Sequence, residues 1–203
     1  MSAYSKELAH KKILRIAVFA SGSGSNALAL MRFFNAQNNL ASVVVLLSNK
    51  PGCGAIEQAK NCGVEVVIIT RENFVAGDNI IQLLHELQID CVVLAGFLWK
   101  VPPAFIRAFR DKIINLHPSL LPKFGGKGMY GRHVHDAVIA AGERVTGITL
   151  HLVNENYDEG AIFFQASVPV DVADDASSVE VKVRELERKY LVDQIALFLT
   201  KMG

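Results

Sequence analysis

The sequence predicts an α/β fold with one doubly wound, mostly parallel sheet, and three observations support this prediction. Over roughly the first 120 residues, short apolar runs rich in β-branched residues alternate with helix-like segments, as expected for parallel strands covered on both faces. A glycine-rich turn joins the first apolar run to the first helical segment. Two longer strand-like runs and a long helical segment complete the chain. We therefore expect a Rossmann-like N-terminal half, followed by a C-terminal β-hairpin and a long C-terminal helix.

Apolar runs and helical spacing predict the elements of the N-terminal half. The strand segments are 13–20, 42–49, 64–70, 91–97 and 112–117. The helical segments are 26–37, 54–61, 78–88 and 102–109. Asp78 is the predicted cap of the third helix, and two prolines suit the first turn of the fourth. Ligands of such sheets bind beyond the carboxyl ends of the strands, so we expect the polar residues there to share one crevice.

The second half is predicted to form a hairpin and a helix. Segments 145–154 and 161–170 are strand-like, and the turn-like residues 155–160 join them. The long helix begins near residue 175, with an Asp or Ser at its start and Glu180 in its first turn. No repeat or linker interrupts the sequence. Residues 13–203 are therefore predicted to form a single domain after a flexible N-terminal tail, 1–12.

Composition favours a globular protein and gives no sign of nucleic-acid or membrane binding. Hydrophobic residues make up 51% of the 203 and charged residues 20%, and the formal net charge is +1. No apolar run approaches the ~20 residues needed to cross a bilayer. The polar N-terminal segment lacks the apolar region of a signal peptide. Cys53, Cys62 and Cys91 are odd in number and widely spaced, which argues against a disulfide framework and favours the reducing cytoplasm.

The glycine-rich turn has three possible interpretations. Gly22, Gly24 and Ala27 form a G-x-G-x-x-A pattern between a strand and a helix. Such a turn binds the phosphate of a small metabolite, binds a dinucleotide, or simply needs its glycines. A dinucleotide site requires an acidic residue about 20 positions later. The second strand ends instead at Lys50, which counts against NAD without fully excluding NADP.

Asn115 and His117 are the candidate catalytic residues at the end of the fifth strand. Residues two apart in a strand face the same side, here the expected crevice. The Asn amide can stabilise an oxyanion, and the His can carry the proton lost by an attacking amine, a pairing that suits acyl transfer. Alternatively, both residues only hold a loop in place.

Other polar residues give weaker signals. His133 and His135 lie two apart in a predicted helix and do not face each other, so a metal site is disfavoured. His135 is expected to pack or to hydrogen-bond at the helix start. Asp158, in the hairpin turn, is either structural or, if the hairpin covers the crevice, a carboxylate that raises the pKa of His117. No G-x-S-x-G motif supports a serine hydrolase.

Six segments together resemble the phosphoribosylglycinamide formyltransferase family of folate-dependent enzymes. They read "ASGSGSN", "LSNK", "VVLAGF", "INLHPSLLPKFGG", "TGITLHLVNENYDEGAIFFQ" and "VPV". The resemblance implies formyl transfer from 10-formyltetrahydrofolate to the amine of glycinamide ribonucleotide, a step of purine biosynthesis. It implies a folate co-substrate, no metal and no NAD. It also implies small-molecule partners, no nucleic acid or membrane, and a monomer or weak homodimer.

The resemblance also implies roles for individual residues. The catalytic group is Asn115, His117 and Asp158, with His117 protonated and held charged by Asp158. The ribonucleotide-binding residues are Gly24, Ser25, Asn26, Gly96, Leu98, Pro118 and Glu187. The folate-binding residues are Arg71, Leu98, Trp99, Lys100, Val101, Asn115, Asn156 and Tyr157. The peptide bond between Leu121 and Pro122 is expected to be cis.

Some features depart from the family pattern, and other functions remain open. The family often has Met-Arg-aliphatic after "AGF", where this chain has "LWKV". Trp99 therefore either lies over the folate pocket or covers the next helix. The loop "KFGGKGMYGRHVHDAV" is longer than usual, so its path over the substrate is open. The alternatives are a formyltetrahydrofolate hydrolase, a methionyl-tRNA formyltransferase, and a nucleotide-binding module without catalysis. The second would need an added RNA-binding domain and a basic surface.

Overall fold

A single seven-stranded sheet organises the protein, in the strand order β3-β2-β1-β4-β5-β6-β7. The computed structural model describes residues 12–36 and 40–202. The strands are β1 (Leu14–Phe19), β2 (Ala41–Ser48), β3 (Glu65–Ile68), β4 (Cys91–Leu94), β5 (Ile113–His117), β6 (Val145–Leu152) and β7 (Ile162–Pro169). The first five are parallel, and β6 runs antiparallel to both β5 and β7. The predicted fold class is confirmed, including the hairpin. Residues 1–11 of the predicted tail lie outside the described residues.

Helices cover both faces of the sheet. They are α1 (Ser25–Asn35), α2 (Gly54–Asn61), α3 (Arg71–Ala76), α4 (Asp78–Glu86), α5 (Pro103–Ala108), α6 (Arg132–Ala140) and α7 (Ala176–Thr200). Alternate residues of β1 enter two different cores: Ile16 and Val18 pack in one, and Ala17 and Phe19 in the other. The first core includes residues of α1, α2, α6 and α7, and the second includes residues of α3, α4 and α5. This double coverage explains why the parallel strands are apolar on both faces.

Local hydrogen bonding corrects three expectations about the helices. Asp78 is not a cap, because α4 begins at Asp78 and its N-cap is Gly77, without a side-chain bond. A separate short helix, α3, precedes it and was not predicted; the Thr70 hydroxyl accepts the N–H of Asn73 and caps it. Asp175 caps α7 as expected, but the first turn of α7 contains no acidic residue, since Glu180 lies just beyond it.

The strand order creates the crevice. The chain winds outward from β1 to β3 and then returns to β4 on the other side of β1, so the connections after β1 and β4 leave the sheet in opposite directions. The antiparallel strand β6 lies beside β5 and pairs His151 with Asn115. The turn between β6 and β7 therefore reaches the carboxyl end of β5.

Candidate active site

One cavity of about 600 Å³ occupies the carboxyl end of the parallel sheet, a volume typical of small-molecule sites. The ends of β1, β4 and β5 form its floor. The β6–β7 turn, the loop from Gly126 to Gly131 and one side of α7 form its walls. The longer loop after β5, whose path the sequence left open, therefore borders the cavity.

The three predicted catalytic side chains meet in this cavity. The Asn115 amide nitrogen donates to Asp158 Oδ1 over 3.5 Å, and His117 Nδ1 lies 3.7 Å from Asp158 Oδ2. His117 is 3% exposed. The hairpin turn thus brings a carboxylate 43 residues distant in sequence onto the two polar residues of β5.

The His117 ring is held in one orientation by the loop that follows β5. Its Nε2 lies 2.8 Å from the Phe124 carbonyl oxygen. A carbonyl can only accept, so Nε2 carries a proton and Nδ1 is the nitrogen that gains or loses one. Burial lowers the pKa of His117 from its usual 6.5, and this effect outweighs the opposing charge of Asp158. Asp158 thus raises the pKa as expected, but burial makes the net shift downward, so the expectation that Asp158 keeps the ring charged is wrong and the resting imidazole is neutral at pH 7.

Asp158 is ionised and held from two sides. Burial raises its pKa, but the Gly126 N–H and the rings of His151 and His117, which carry positive charge when protonated, outweigh this effect, so the net pKa lies below 3.8. The Gly126 N–H donates to Oδ2 over 2.8 Å. The neighbouring Gly125 permits this approach, because a Cβ there would lie 3.2 Å from the Asp158 Cβ and closer still to Leu121.

His151 belongs to the same cluster, although the sequence reasoning did not single it out. Its Nδ1 lies 2.9 Å from the Leu152 carbonyl and must donate to it. The Nε2 lone pair is then free to accept from the Asn115 amide, 3.1 Å away. His151 is 1% exposed. This contact orients the Asn115 amide with its nitrogen, the donor, towards the cavity. Only the antiparallel register of β5 and β6 reveals it.

The glycine-rich turn forms the start of α1 at the other end of the cavity. Gly24 adopts φ +83° as the N-cap, and no side chain caps the first turn. A Cβ on Gly24 would lie 2.8 Å from the Ala55 nitrogen, so both conformation and space require glycine. The first N–H groups of α1 and the helix dipole favour an anion at this point.

Side chains of α7 face the same end. The Asn26 amide donates to Glu187 over 2.9 Å, and burial raises the pKa of Glu187. Arg184, paired with Glu180 on the same helix, also lines the cavity. Neither Arg184 nor Glu180 was a predicted site residue. A carboxylate and a guanidinium beside an uncapped helix start suit a phosphorylated sugar.

Most of the residues predicted to bind folate or the ribonucleotide line the cavity. They are Gly24, Ser25, Asn26, Gly96, Leu98, Trp99, Lys100, Val101, Asn115, Pro118, Asn156, Tyr157 and Glu187. Arg71 is not among the lining residues; its guanidinium lies 6.0 Å from the Trp99 ring centre.

Trp99 lies in the cavity wall, and its contacts with other rings are with Phe74 of the preceding helix α3 and with Phe97, not with the helix that follows it. The Lys100 ammonium lies 4.8 Å from the Tyr157 ring centre at the rim. These aromatic and cationic groups suit the folate side of the predicted site.

Four smaller features concern a peptide bond, the cysteines, possible metal ligands and helix length. The peptide bond between Leu121 and Pro122 is cis. The three cysteines are free, and Cys91 is fully buried, which raises the pKa of its thiol to about 12. Among residues 12–36 and 40–202, no group of three His, Cys, Asp or Glu residues is placed to hold a metal ion. Within the same ranges, no helix is both long and apolar enough to span a bilayer.

Comparison with known proteins identifies the family. The family described as formyl transferase matches residues 14–195. The chain belongs to the formyl transferase family. The chain is 36% identical to the phosphoribosylglycinamide formyltransferase of Haemophilus influenzae over 85% of its own length and 81% of that protein. It is 39% identical to the chloroplastic enzyme of the same name from Vigna unguiculata.

A solved structure agrees with this assignment. The phosphoribosylglycinamide formyltransferase of Bacillus halodurans superposes with a TM-score of 0.84 at 33% identity, covering 93% of this chain and 97% of that one. The match to the plant relatives covers 89% of this formyltransferase but 59% of the Vigna protein and 64% of the Arabidopsis thaliana protein. The chain thus spans about three fifths of the length of those two relatives.

Proposed function

We propose that this formyltransferase transfers the formyl group of 10-formyltetrahydrofolate to the amine of glycinamide ribonucleotide, in purine biosynthesis. The observation that carries the proposal is the convergence of Asn115, a neutral His117 and an ionised Asp158 in one cavity that also contains an anion-binding helix start. The names of the bacterial relatives support the same assignment.

In the proposed reaction, His117 acts first as a base. The acceptor amine forms a bond to the formyl carbon, and the carbonyl electron pair moves to its oxygen. His117 Nδ1 takes the proton that the amine loses, while the Nε2–H group keeps its hydrogen bond to the Phe124 carbonyl oxygen. Asp158, 3.7 Å from Nδ1, stabilises the imidazolium that results. The bond between the folate nitrogen and the formyl carbon then breaks, and that nitrogen takes the proton from His117.

Asn115 supplies the electrostatic part of the proposal. Its amide hydrogens point towards His151 at 3.1 Å and Asp158 at 3.5 Å. The second contact is at the long limit of a hydrogen bond, so a developing oxyanion beside the amide competes for it. One such donor contributes about 10²- to 10³-fold to the rate in related chemistry.

The residues that line the cavity support separate positions for the two substrates. The start of α1, with Arg184 and Glu187, suits the phosphate and ribose of the acceptor. Trp99, Lys100 and Tyr157 suit the folate at another part of the cavity wall. The reacting carbon then lies beside His117. A hydrolase would use water and needs no phosphate-binding turn, so this turn favours a phosphorylated acceptor.

The test is folate turnover by the purified protein, with and without glycinamide ribonucleotide. We expect turnover only with the ribonucleotide, and a fall of about 10²- to 10⁴-fold in His117→Ala, because the general base is lost. Turnover without an amine acceptor would instead identify a hydrolase. Folate binding without any turnover would leave the proposed chemistry unsupported.

We further propose that residues 13–203 act as one formyltransferase domain in the cytoplasm, as a monomer or weak homodimer. All seven strands share one sheet, which supports one domain, and the free cysteines suit a reducing compartment. The absence of metal, NAD and nucleic acid from the reaction remains part of the proposal. Size-exclusion chromatography with light scattering measures the oligomeric state.

A further inference from the structure

We propose that His135 is a specificity-determining residue that hydrogen-bonds the amide linkage of the acceptor, between its ribose and its amine. This inference rests on the proposed transfer to glycinamide ribonucleotide and adds a contact to that site. Two observations support it: the ring belongs to the cavity wall, and no group among residues 12–36 and 40–202 hydrogen-bonds its Nδ1.

His135 lies on the inner side of α6. It is 3% exposed, and its neighbours on this side, Val134 and Val138, are fully buried. The helix α6 packs against α7, which carries the sugar-facing residues of the cavity. His133, two residues earlier, is exposed and packs edge to face against Tyr130. The two histidines therefore have different environments, and only His135 lines the cavity.

The His135 ring has no hydrogen-bond partner within the described part of the chain. Its Nδ1 is enclosed by protein and makes no hydrogen bond. Burial is also the main reason that its pKa is lowered, despite the nearby Glu180 carboxylate, so the ring is neutral at pH 7. A buried polar ring without partners lowers stability relative to an apolar side chain of the same shape. The ring nevertheless lines the cavity, so a bound ligand can hydrogen-bond the part of the ring that borders it.

The position of the ring selects the part of the acceptor that it contacts. His135 lies within electrostatic range of His117, Glu180 and Arg184, and all four residues line the same cavity. The acceptor's amine is expected at His117, and its phosphate at the start of α1, so the amide linkage lies between them. An amide offers one N–H donor and one carbonyl acceptor, and a neutral imidazole offers one of each. The ring is thus chemically matched to the linkage.

Direct binding tests the proposal without requiring turnover. Calorimetry measures the Kd of glycinamide ribonucleotide and of ribose 5-phosphate, which lacks the amide, for the wild type and His135→Phe. We expect the variant to bind the ribonucleotide about tenfold more weakly, the loss of one neutral hydrogen bond, and ribose 5-phosphate equally well. Its Tm should not fall, because the phenyl ring fills the same space and no protein hydrogen bond is lost. His133→Phe, the matched control, should change neither Kd.

Other results would overturn the assignment. Unchanged ribonucleotide affinity in His135→Phe, with normal binding by the wild type, refutes the contact and leaves the proposed function intact. An equal loss for both ligands moves the contact to the sugar phosphate. A lower Tm with weaker binding of both ligands indicates a structural role. A wild type that binds folate but not the ribonucleotide overturns this inference and the proposed function together.

Discussion

Replacing His151 with phenylalanine should impair catalysis although His151 itself need not touch a substrate. The ring accepts a hydrogen bond from the Asn115 amide over 3.1 Å and donates one to the Leu152 carbonyl over 2.9 Å. A phenyl ring fills the buried site but can do neither. The Asn115 amide then loses the contact that keeps its nitrogen turned towards the cavity.

The magnitude follows from these two contacts. A neutral hydrogen bond contributes about 1 kcal/mol, which is about a fivefold preference between the two amide orientations. An oxyanion donor contributes about 10²- to 10³-fold. Because only the orientation of this donor is lost and the donor itself remains, we expect kcat in His151→Phe to fall about two- to fivefold. The free energy of unfolding should fall by about 1–2 kcal/mol, too little to unfold a typical domain.

Steady-state formyl transfer and urea unfolding measure the two effects. His85→Phe is the matched control, because that imidazole is exposed, stacks on Phe109 and does not line the cavity. The decisive comparison uses an Asn115→Ala background. If His151 acts through Asn115, its replacement there costs little further activity. The same loss in both backgrounds, or wild-type kcat in the single variant, would refute the reasoning.

Two further predictions concern charge and backbone. Because burial lowers the pKa of His117 below 6.5, an NMR titration of its ring, assigned with His117→Asn, should have its midpoint below that pH. As the pH falls, His117 binds its proton in the unfolded chain before it does so in the folded protein. The contribution of His117 to the free energy of unfolding is therefore complete above pH 6.5 and is lost as the pH falls through the folded pKa. A titration midpoint above 6.5 would contradict the assignment. The lowered pKa of Asp158 acts with the same sign in a lower window: its contribution is present above pH 3.8 and is lost below it. Gly24→Ala should reduce the free energy of unfolding by about 1–3 kcal/mol, because its Cβ meets the Ala55 backbone at a positive φ. Urea unfolding should reveal no comparable loss in Gly22→Ala, where a Cβ meets nothing within 4 Å.

The strand that carries the candidate catalytic residues Asn115 and His117 could be predicted because its signal is local. Asn115 and His117 alternate with apolar residues, and strand geometry alone places them on one side. The glycine turn could also be predicted from the sequence, although its pattern left three interpretations open. The uncapped start of α1 and the α7 residues beside it favour a phosphorylated sugar. The sequence around the turn could not decide between the interpretations, because the deciding residues are on a helix about 160 residues later, where Glu187 accepts a hydrogen bond from Asn26.

His151 and the charge of His117 could not be predicted in the same way. His151 resembles any polar residue in a strand until the register pairs it with Asn115. The net shift of the His117 pKa is downward and not upward as expected, because the sequence motif reveals the neighbouring carboxylate but not the depth of burial. Arg71 was expected in the site, but it begins the short unpredicted helix α3 and contacts Trp99 instead.

Local periodicity and turn chemistry thus specified the strands, the glycine turn and the candidate catalytic residues, since these depend on neighbours a few positions apart. The folded sheet decided how the ends of β1, β4 and β5 share one cavity, which nitrogen of His117 carries its proton, and that His135 Nδ1 has no hydrogen-bond partner among the residues that the structure describes. These properties depend on distances and burial between residues far apart in the chain. Solvent exclusion and through-space contact arise only when the strands and α7 are assembled.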